Sequence, residues 1–105
     1  MPNAPDDYTI TATESTTGKH LTAGAALAST FTVQYIGNAQ NAGGGPVLIK
    51  STATASAPSD WRGARRIDMG DGFIGATVND LWPGSTNTYL WAIGPVGATI
   101  SFTSA

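Results

Sequence analysis

The sequence predicts an all-β domain, either an antiparallel β-sandwich or a small barrel of about seven short strands. Several segments alternate apolar with polar residues, as a half-buried strand does; in the clearest of them, Phe31, Val33 and Tyr35 alternate with Thr32 and Gln34. Turn-forming residues separate such segments at intervals of about ten residues. This combination is typical of sandwiches and small barrels, because their short strands are joined by short turns.

The first half of the chain predicts an arm followed by two strands. Residues 1–7 hold two prolines and two aspartates, so we expect an N-terminal arm there and a single β domain over 8–105. Alternation predicts a first strand at 8–13 and a second at 31–35. The Ala-rich residues 19–29 are interrupted by a glycine, which favours a loop or a weak strand over a helix.

Turns and breaks divide the second half into further strands. A Gly-rich loop is expected at 37–45, a break at 55–60, and either a short strand or a single helical turn within 61–68. Helix is expected to be confined to a turn or two. The remaining expected strands are 47–51, 73–78, 89–93 and 98–103.

The C-terminal residues predict a hairpin that closes the domain. Residues 98–103 are expected to pair antiparallel with 88–94 across the Gly-Pro-Val-Gly turn at 94–97. In the first of these strands, Trp91 shares one face with Tyr89 and Ile93, and that face is expected to point into the core. The apolar members of the alternations give the expected core: Ile10, Phe31, Val33, Tyr35, Trp91, Ile93, Ile100 and Phe102.

Composition argues against several classes of function. The chain has no cysteine, which excludes disulfides, a thiol nucleophile and Cys-ligated zinc. A net charge of −2 does not favour nucleic-acid or membrane-surface binding, and no apolar stretch approaches the length of a membrane span. Residues 1–7 lack the basic and apolar segments of a secretory signal.

No arrangement of residues indicates catalysis, a cofactor or a bound metal. The single histidine, His20, is expected in an exposed loop, and no nucleophile-elbow motif accompanies it. Asp68 and Asp71 lie among glycines, but the third and twelfth positions of a calcium loop are not acidic here. The glycines of 43–45 lack the Lys-Ser/Thr of a phosphate-binding loop. We therefore expect a protein that is not an enzyme.

The core is expected to be thin, which predicts self-association. Ala, Gly, Ser and Thr make up 52 of the 105 residues, whereas Leu, Ile, Val and Phe make up only 19. A small domain buries a small share of its surface, so oligomerisation or docking on a larger partner would supply the missing burial. A homo-oligomer, with a trimer favoured, is the expectation.

One charged cluster is a candidate interface. Half of the chain's twelve charged residues fall within 60–71, and three arginines follow Trp61 closely. Arg and Trp commonly dominate the energetics of interfaces, although local pairing of these arginines with aspartates is an equal alternative. Trp82, in a turn, is also a candidate, with closure of the core as its alternative. The candidate interface residues are Trp61, Arg62, Arg65, Arg66 and Trp82.

Five short motifs resemble small β-domain structural proteins encoded among the virion genes of tailed bacteriophages. Together they cover about 75 residues. They comprise a strand with an Asn-bearing turn, an Ala-Pro-Ser break, a Pro-Gly turn and two closing strands. The matching segments are Phe31-Thr-Val-Gln-Tyr-Ile-Gly-Asn38, Ser56-Ala-Pro-Ser59, Leu81-Trp-Pro-Gly-Ser85, Tyr89-Leu-Trp-Ala92 and Ala98-Thr-Ile-Ser101.

The resemblance implies a non-enzymatic part of a phage particle, made in the host cytoplasm and assembled into the virion. A capsid decoration (cement) protein or head-fibre protein that docks on other virion subunits is the first expectation. A tail-fibre or a receptor- or glycan-binding module is the alternative. The Leu-Trp-Pro-Gly-Ser turn at 81–85 also resembles fibronectin type III adhesion modules, but its distance from Tyr89 is longer than in that family.

Overall fold

The computed structural model describes residues 6–22, 27, 30–38 and 45–104. Eight strands and two single-turn helices lie within these residues, which confirms an all-β fold with helix limited to a turn or two. In chain order the elements are β1 (Asp6–Thr9), α1 (Glu14–Thr17), β2 (Lys19–His20), β3 (Phe31–Asn38), β4 (Val47–Thr52), β5 (Arg65–Ile67), β6 (Gly72–Ala76), α2 (Val78–Leu81), β7 (Tyr89–Ile93) and β8 (Ala98–Ser104).

The strands form two antiparallel four-stranded sheets. One sheet has the order β1-β8-β3-β6 and the other β2-β7-β4-β5. The chain can be traced as one long antiparallel ribbon, because β1 pairs with β8, β2 with β7, β3 with β6 and β4 with β5. Rolling this ribbon brings β3 against β8 and β4 against β7. An eight-stranded double sheet connected in this way is a jelly roll.

The expected C-terminal hairpin is wrong. β7 pairs with β2 and β4, whereas β8 pairs with β1 and β3, so the turn at 94–97 crosses from one sheet to the other. Three hydrogen bonds hold this crossing: Gly97 N–H donates to Ile10 O, Ala98 N–H to Pro95 O and the Asn38 amide to Val96 O. Alternation in the sequence indicates which faces of a strand are apolar, but it does not indicate which sheet receives the strand.

The core lies between the two sheets and contains most of the residues expected there. Of the eight predicted positions, six belong to the core; Trp91 is buried outside it, and Ile93 is only half-buried. The largest fully buried side chains are Tyr35, Phe31, Ile10, Ile49, Ile67, Leu90, Ile100, Val33 and Val47. The hydroxyl of Tyr35 donates to Gly45 O at 3.2 Å, so this buried phenol is satisfied.

The inward face of β7 is the reverse of the expected one. Leu90 and Ala92 are fully buried within the core cluster, whereas Tyr89, Trp91 and Ile93 lie on the outer face of their sheet. Trp91 is nevertheless buried there, and its indole N–H donates to Thr52 Oγ1 at 3.1 Å. A hydroxyl acceptor is available on the outer face, and buried indole N–H groups require such a partner.

Several element boundaries also differ from the expected ones. β1 starts at Asp6, so residues 6 and 7 belong to the sheet and not to an N-terminal arm; residues 1–5 lie outside the described residues. The strand expected at 73–78 ends at Ala76, and a helix follows it. Of the expected Gly-rich loop, residues 39–44 lie outside the described residues.

Candidate docking surface

The predicted charged cluster begins in the connection between β4 and β5, which pair with each other, and continues into β5. We call residues 60–66 the basic turn. Asp60 organises its start: its Oδ1 accepts hydrogen bonds from Arg62 N–H at 3.0 Å and from Lys50 Nζ at 3.3 Å, and Lys50 also donates to Asp60 O at 2.9 Å. These interactions, the Arg62 N–H first, lower the pKa of the Asp60 carboxyl.

The end of the basic turn is held by the segment that contains α2. Arg65 Nε donates to Leu81 O at 2.7 Å, and Trp82 Nε1 donates to Gly63 O at 2.7 Å. Leu81 ends the helix, whose terminal carbonyls have no partner within the helix and attract a cation. Arg65 and Trp82 therefore join the basic turn to the α2 segment. Trp82 also packs against the core, in agreement with the alternative interpretation of this residue.

Trp61 packs against Gly18 in the β1–β2 connection. A Cβ placed on Gly18 would come within 2.8 Å of the Trp61 ring, so only glycine leaves room for the indole there. Gly18 also has φ of +101°, a conformation that other residues rarely adopt. The indole remains half-exposed, so one part of it is packed and another part faces solvent.

All three arginines of the basic turn are exposed, and two of them, Arg62 and Arg66, form no hydrogen bond to the described residues around α2. Arg66 pairs with Asp68 at 2.8 Å, but both side chains are more than half exposed, so the pair contributes little to stability. No described residue pairs with the guanidinium of Arg62; only its backbone N–H is bonded. The structure thus separates the predicted cluster into two groups. Arg65 and Trp82 bond the basic turn and the α2 segment to each other, whereas no such bond to described residues is formed by the side chains of Trp61, Arg62 and Arg66.

Beside the basic turn lies an aromatic layer that the sequence analysis did not identify. His20 stacks on Trp91 with ring centroids 4.1 Å apart and an interplanar angle of 5°, and Tyr89 tilts against His20 at 5.9 Å. His20 is therefore not the exposed loop residue that was expected. Its position opposite Trp91 follows from the pairing of β2 with β7, a pairing between strands about 70 residues apart that no local pattern indicates.

The buried environment of His20 changes its acid–base behaviour. Burial lowers the pKa of the imidazole below its ordinary value of 6.5, and the positive charge of Lys19 lowers it further. The Nε2 atom is buried and has no hydrogen-bond partner among the described residues. The ring consequently favours its neutral form and acts as a packing group over Trp91.

A polar groove of about 280 Å³ opens between β5 and β6, where the two sheets meet at one side of the sandwich. In this groove the Arg66–Asp68 pair lies beside the carboxylate of Asp71 and the ring of Phe73. Its lining residues are Arg66, Ile67, Asp68, Asp71, Gly72 and Phe73. Across the described part of the chain there is no group of three or more His, Cys, Asp or Glu residues that could hold a metal ion.

The fold and the surface together define a jelly-roll β-sandwich domain that presents a braced basic turn beside an aromatic layer. No protein-family model, no curated protein and no solved structure matches the chain. Within the described residues, no helix is long and apolar enough to cross a membrane.

Proposed function

We propose that the protein is a non-enzymatic structural subunit of a bacteriophage particle. In this proposal it is a capsid decoration or head-fibre protein that self-associates and docks on other virion subunits. The motif resemblance described above supports this function. The jelly-roll topology is consistent with it, because viral capsid domains commonly use that fold, although lectins and cupins share it and a fold alone does not define a function.

The single observation that carries the proposal is that hydrogen bonds hold the basic turn in place while no described residue pairs with the guanidinium of Arg62. Hydrogen bonds fix the turn at Asp60, Gly63 and Arg65, while Arg62 has no partner among the described residues. A surface that is already ordered loses little conformational entropy when it binds, so more of its contact energy appears as affinity. This arrangement suits docking better than it suits stabilising the isolated domain.

The chemistry of the turn defines the partner surface. Arg62 and Arg66 supply planar, multi-donor cations, and the half-exposed ring of Trp61 supplies apolar area beside them. Carboxylates and backbone carbonyls of a neighbouring subunit are the matching acceptors. Because exposed charges are screened by salt, docking through this surface should weaken as ionic strength rises.

A second candidate function, glycan or receptor binding, has one observation in its favour. Tyr89, on the outer face of β7, and Trp61, next to Asp60, are both half-exposed. Lys50 bonds to Asp60 and lies opposite Trp91, two residues from Tyr89. Aromatic faces flanked by hydrogen-bonding groups suit a saccharide. Trp91 does not contribute to such a face, because His20 covers it.

The experiment uses particles of the phage whose genome encodes the chain. Quantitative mass spectrometry of purified particles is expected to find the chain in fixed proportion to the major capsid or tail subunits. The double variant Arg62→Ala/Arg66→Ala is expected to lower its incorporation at least about tenfold, which corresponds to about 1.4 kcal/mol of docking free energy. Its melting temperature should barely change, because neither guanidinium is bonded to the core.

The matched control is Lys19→Ala, which removes a cation that lies outside the basic turn and forms an ion pair with Glu14. Incorporation of this control should remain normal. Absence of the chain from particles would contradict the proposal. Specific retention on a glycan array that depends on Tyr89, together with absence from particles, would favour the second candidate.

A further inference from the structure

We infer that β6 is a self-association edge, at which a second copy of the chain pairs antiparallel about a two-fold axis. The two β1-β8-β3-β6 sheets would then join into one continuous eight-stranded sheet. This inference deepens the proposed function, because it names the surface through which the protein self-associates. It specifies a two-fold dimer in place of the trimer that the sequence led us to expect.

The four edge strands of the two sheets differ in charge and length. β1 carries two aspartates, β2 has only two residues, and β5 has three residues of which two are arginines. Charged side chains and short length are the usual means by which natural proteins prevent edges from pairing. β6 has five residues and no charge, so neither of these two means protects it; the edge protection that it does carry is the β-bulge at Ile74 and Gly75.

β6 also presents apolar surface to solvent. Ile74 is 77% exposed, the highest value among the large hydrophobic residues that the structure describes. It lies at a bulge, where Ile74 and Gly75 together face Thr32 of β3, and the Gly75 N–H donates to Thr32 Oγ1. Met69, in the turn leading into β6, is a further exposed apolar side chain. An exposed apolar side chain on an uncharged edge strand is typical of an interaction site.

A second copy fits this edge better than other arrangements of the same chain. Antiparallel pairing of β6 with itself is symmetric, so each strand offers the backbone donors and acceptors that the other requires. Ile74 is the middle residue of β6, and full overlap of the two strands places it opposite the partner copy's Ile74. Pairing of β6 with β1 of another copy would instead bring the charge of Asp7 against an apolar strand.

The test measures the mass of the full chain in solution over a range of concentrations, by sedimentation equilibrium. The wild type is expected to be a dimer. Ile74→Lys should weaken the dimer at least about 100-fold, because each interface loses two buried isoleucines and gains two opposed charges. The control Val96→Lys introduces the same charge at an exposed apolar residue of the β7–β8 turn and should leave the dimer intact.

Cross-linking then tests the two-fold arrangement. The chain contains no cysteine, so Ile74→Cys introduces a single thiol. Mild oxidation should convert this variant to a covalent dimer, because directly opposed residues bring their Cα atoms within disulfide range. Val96→Cys should remain uncross-linked.

Three results would overturn the inference: a wild-type monomer, a trimer, or a dimer that neither responds to Ile74→Lys nor cross-links through Ile74→Cys. A monomer that is still incorporated into particles would overturn the edge pairing alone. A wild-type dimer with these properties that is absent from particles would support the pairing and contradict the proposed function.

Discussion

His20 illustrates how strongly the surroundings of one residue determine its role in this protein. Its ring covers Trp91 on the outer face of a sheet, so Trp91 is buried without entering the core between the sheets. Protonation of the ring would place a positive charge close to that of Lys19. The buried Nε2–H would also have no hydrogen-bond acceptor among the described residues. The cost of that charge links the stability of the fold to pH.

We predict that stability falls as pH is lowered through the range of histidine titration. The folded-state pKa of His20 lies below the ordinary value of 6.5, so the unfolded chain takes up the proton first. The contribution of neutral His20 is therefore complete above about pH 6.5 and is lost as pH falls below it toward the lower folded pKa. Chemical denaturation between about pH 7.5 and pH 5.5 should show this decrease.

The control for this prediction is His20→Phe, which keeps an aromatic ring over Trp91 but cannot titrate. Its free energy of unfolding should change little over the same pH range. The pKa values of Glu14 and Asp60 are lowered from their ordinary values of 4.5 and 3.8. These two carboxyls therefore change the stability only at a pH below this range. An equal slope in the wild type and in His20→Phe would contradict the assignment to His20.

At the scale of elements, the four-residue helix α2 supports the basic turn. Thr77 and Asp80 form a reciprocal capping box: Thr77 Oγ1 accepts from Asp80 N–H at 3.1 Å, and Asp80 Oδ2 accepts from Thr77 N–H at 2.9 Å. The helix in turn positions Leu81 O and Trp82, which brace the basic turn. A helix this short is not stable alone and depends on these contacts.

We predict that Thr77→Ala lowers the free energy of unfolding by about 1 kcal/mol, the usual cost of losing an N-cap side chain. Chemical denaturation provides the measurement. The matched control is Thr86→Ala, at an exposed threonine in the same connection between β6 and β7. Comparable losses in the two variants would show that the capping box does not stabilise α2.

At the scale of the whole molecule, the core is a single layer between two sheets, and every strand except β2 places at least one side chain in it or against it. All consecutive strands except β4 and β5 lie in opposite sheets, so most connections cross the sandwich. The core side chains from distant parts of the chain meet only when the ribbon is rolled. The inward face of β7 is the part of this arrangement that alternation did not predict.

We predict that Leu90→Ala lowers the free energy of unfolding by about 2–5 kcal/mol, because it leaves a cavity in the core. Ile93→Ala, in the same strand but on its half-buried outer face, should cost less than half as much. Equilibrium denaturation of the two variants makes the comparison. Equal losses, or a larger loss for Ile93→Ala, would contradict the observed orientation of β7.

Part of the candidate surface could be predicted from the sequence. The density of charge around Trp61, Arg62 and Arg66 identifies an unusual segment without any structure. The structural roles of Arg65 and Trp82 could not be predicted, because their acceptors, Leu81 O and Gly63 O, lie 16 and 19 residues away. The stacking of His20 on Trp91 likewise depends on a pairing between distant strands.

The sequence by itself determined the all-β class, the approximate strands and most of the core, because alternation of apolar and polar residues is a local property with a period of two. Only the tertiary structure decided the jelly-roll order, the crossing at 94–97 and the orientation of β7. The physical reason is that strand pairing and the choice of sheet depend on hydrogen bonds and packing between distant residues. Trp91 shows this most clearly, since Thr52 and His20 together make its outer position favourable.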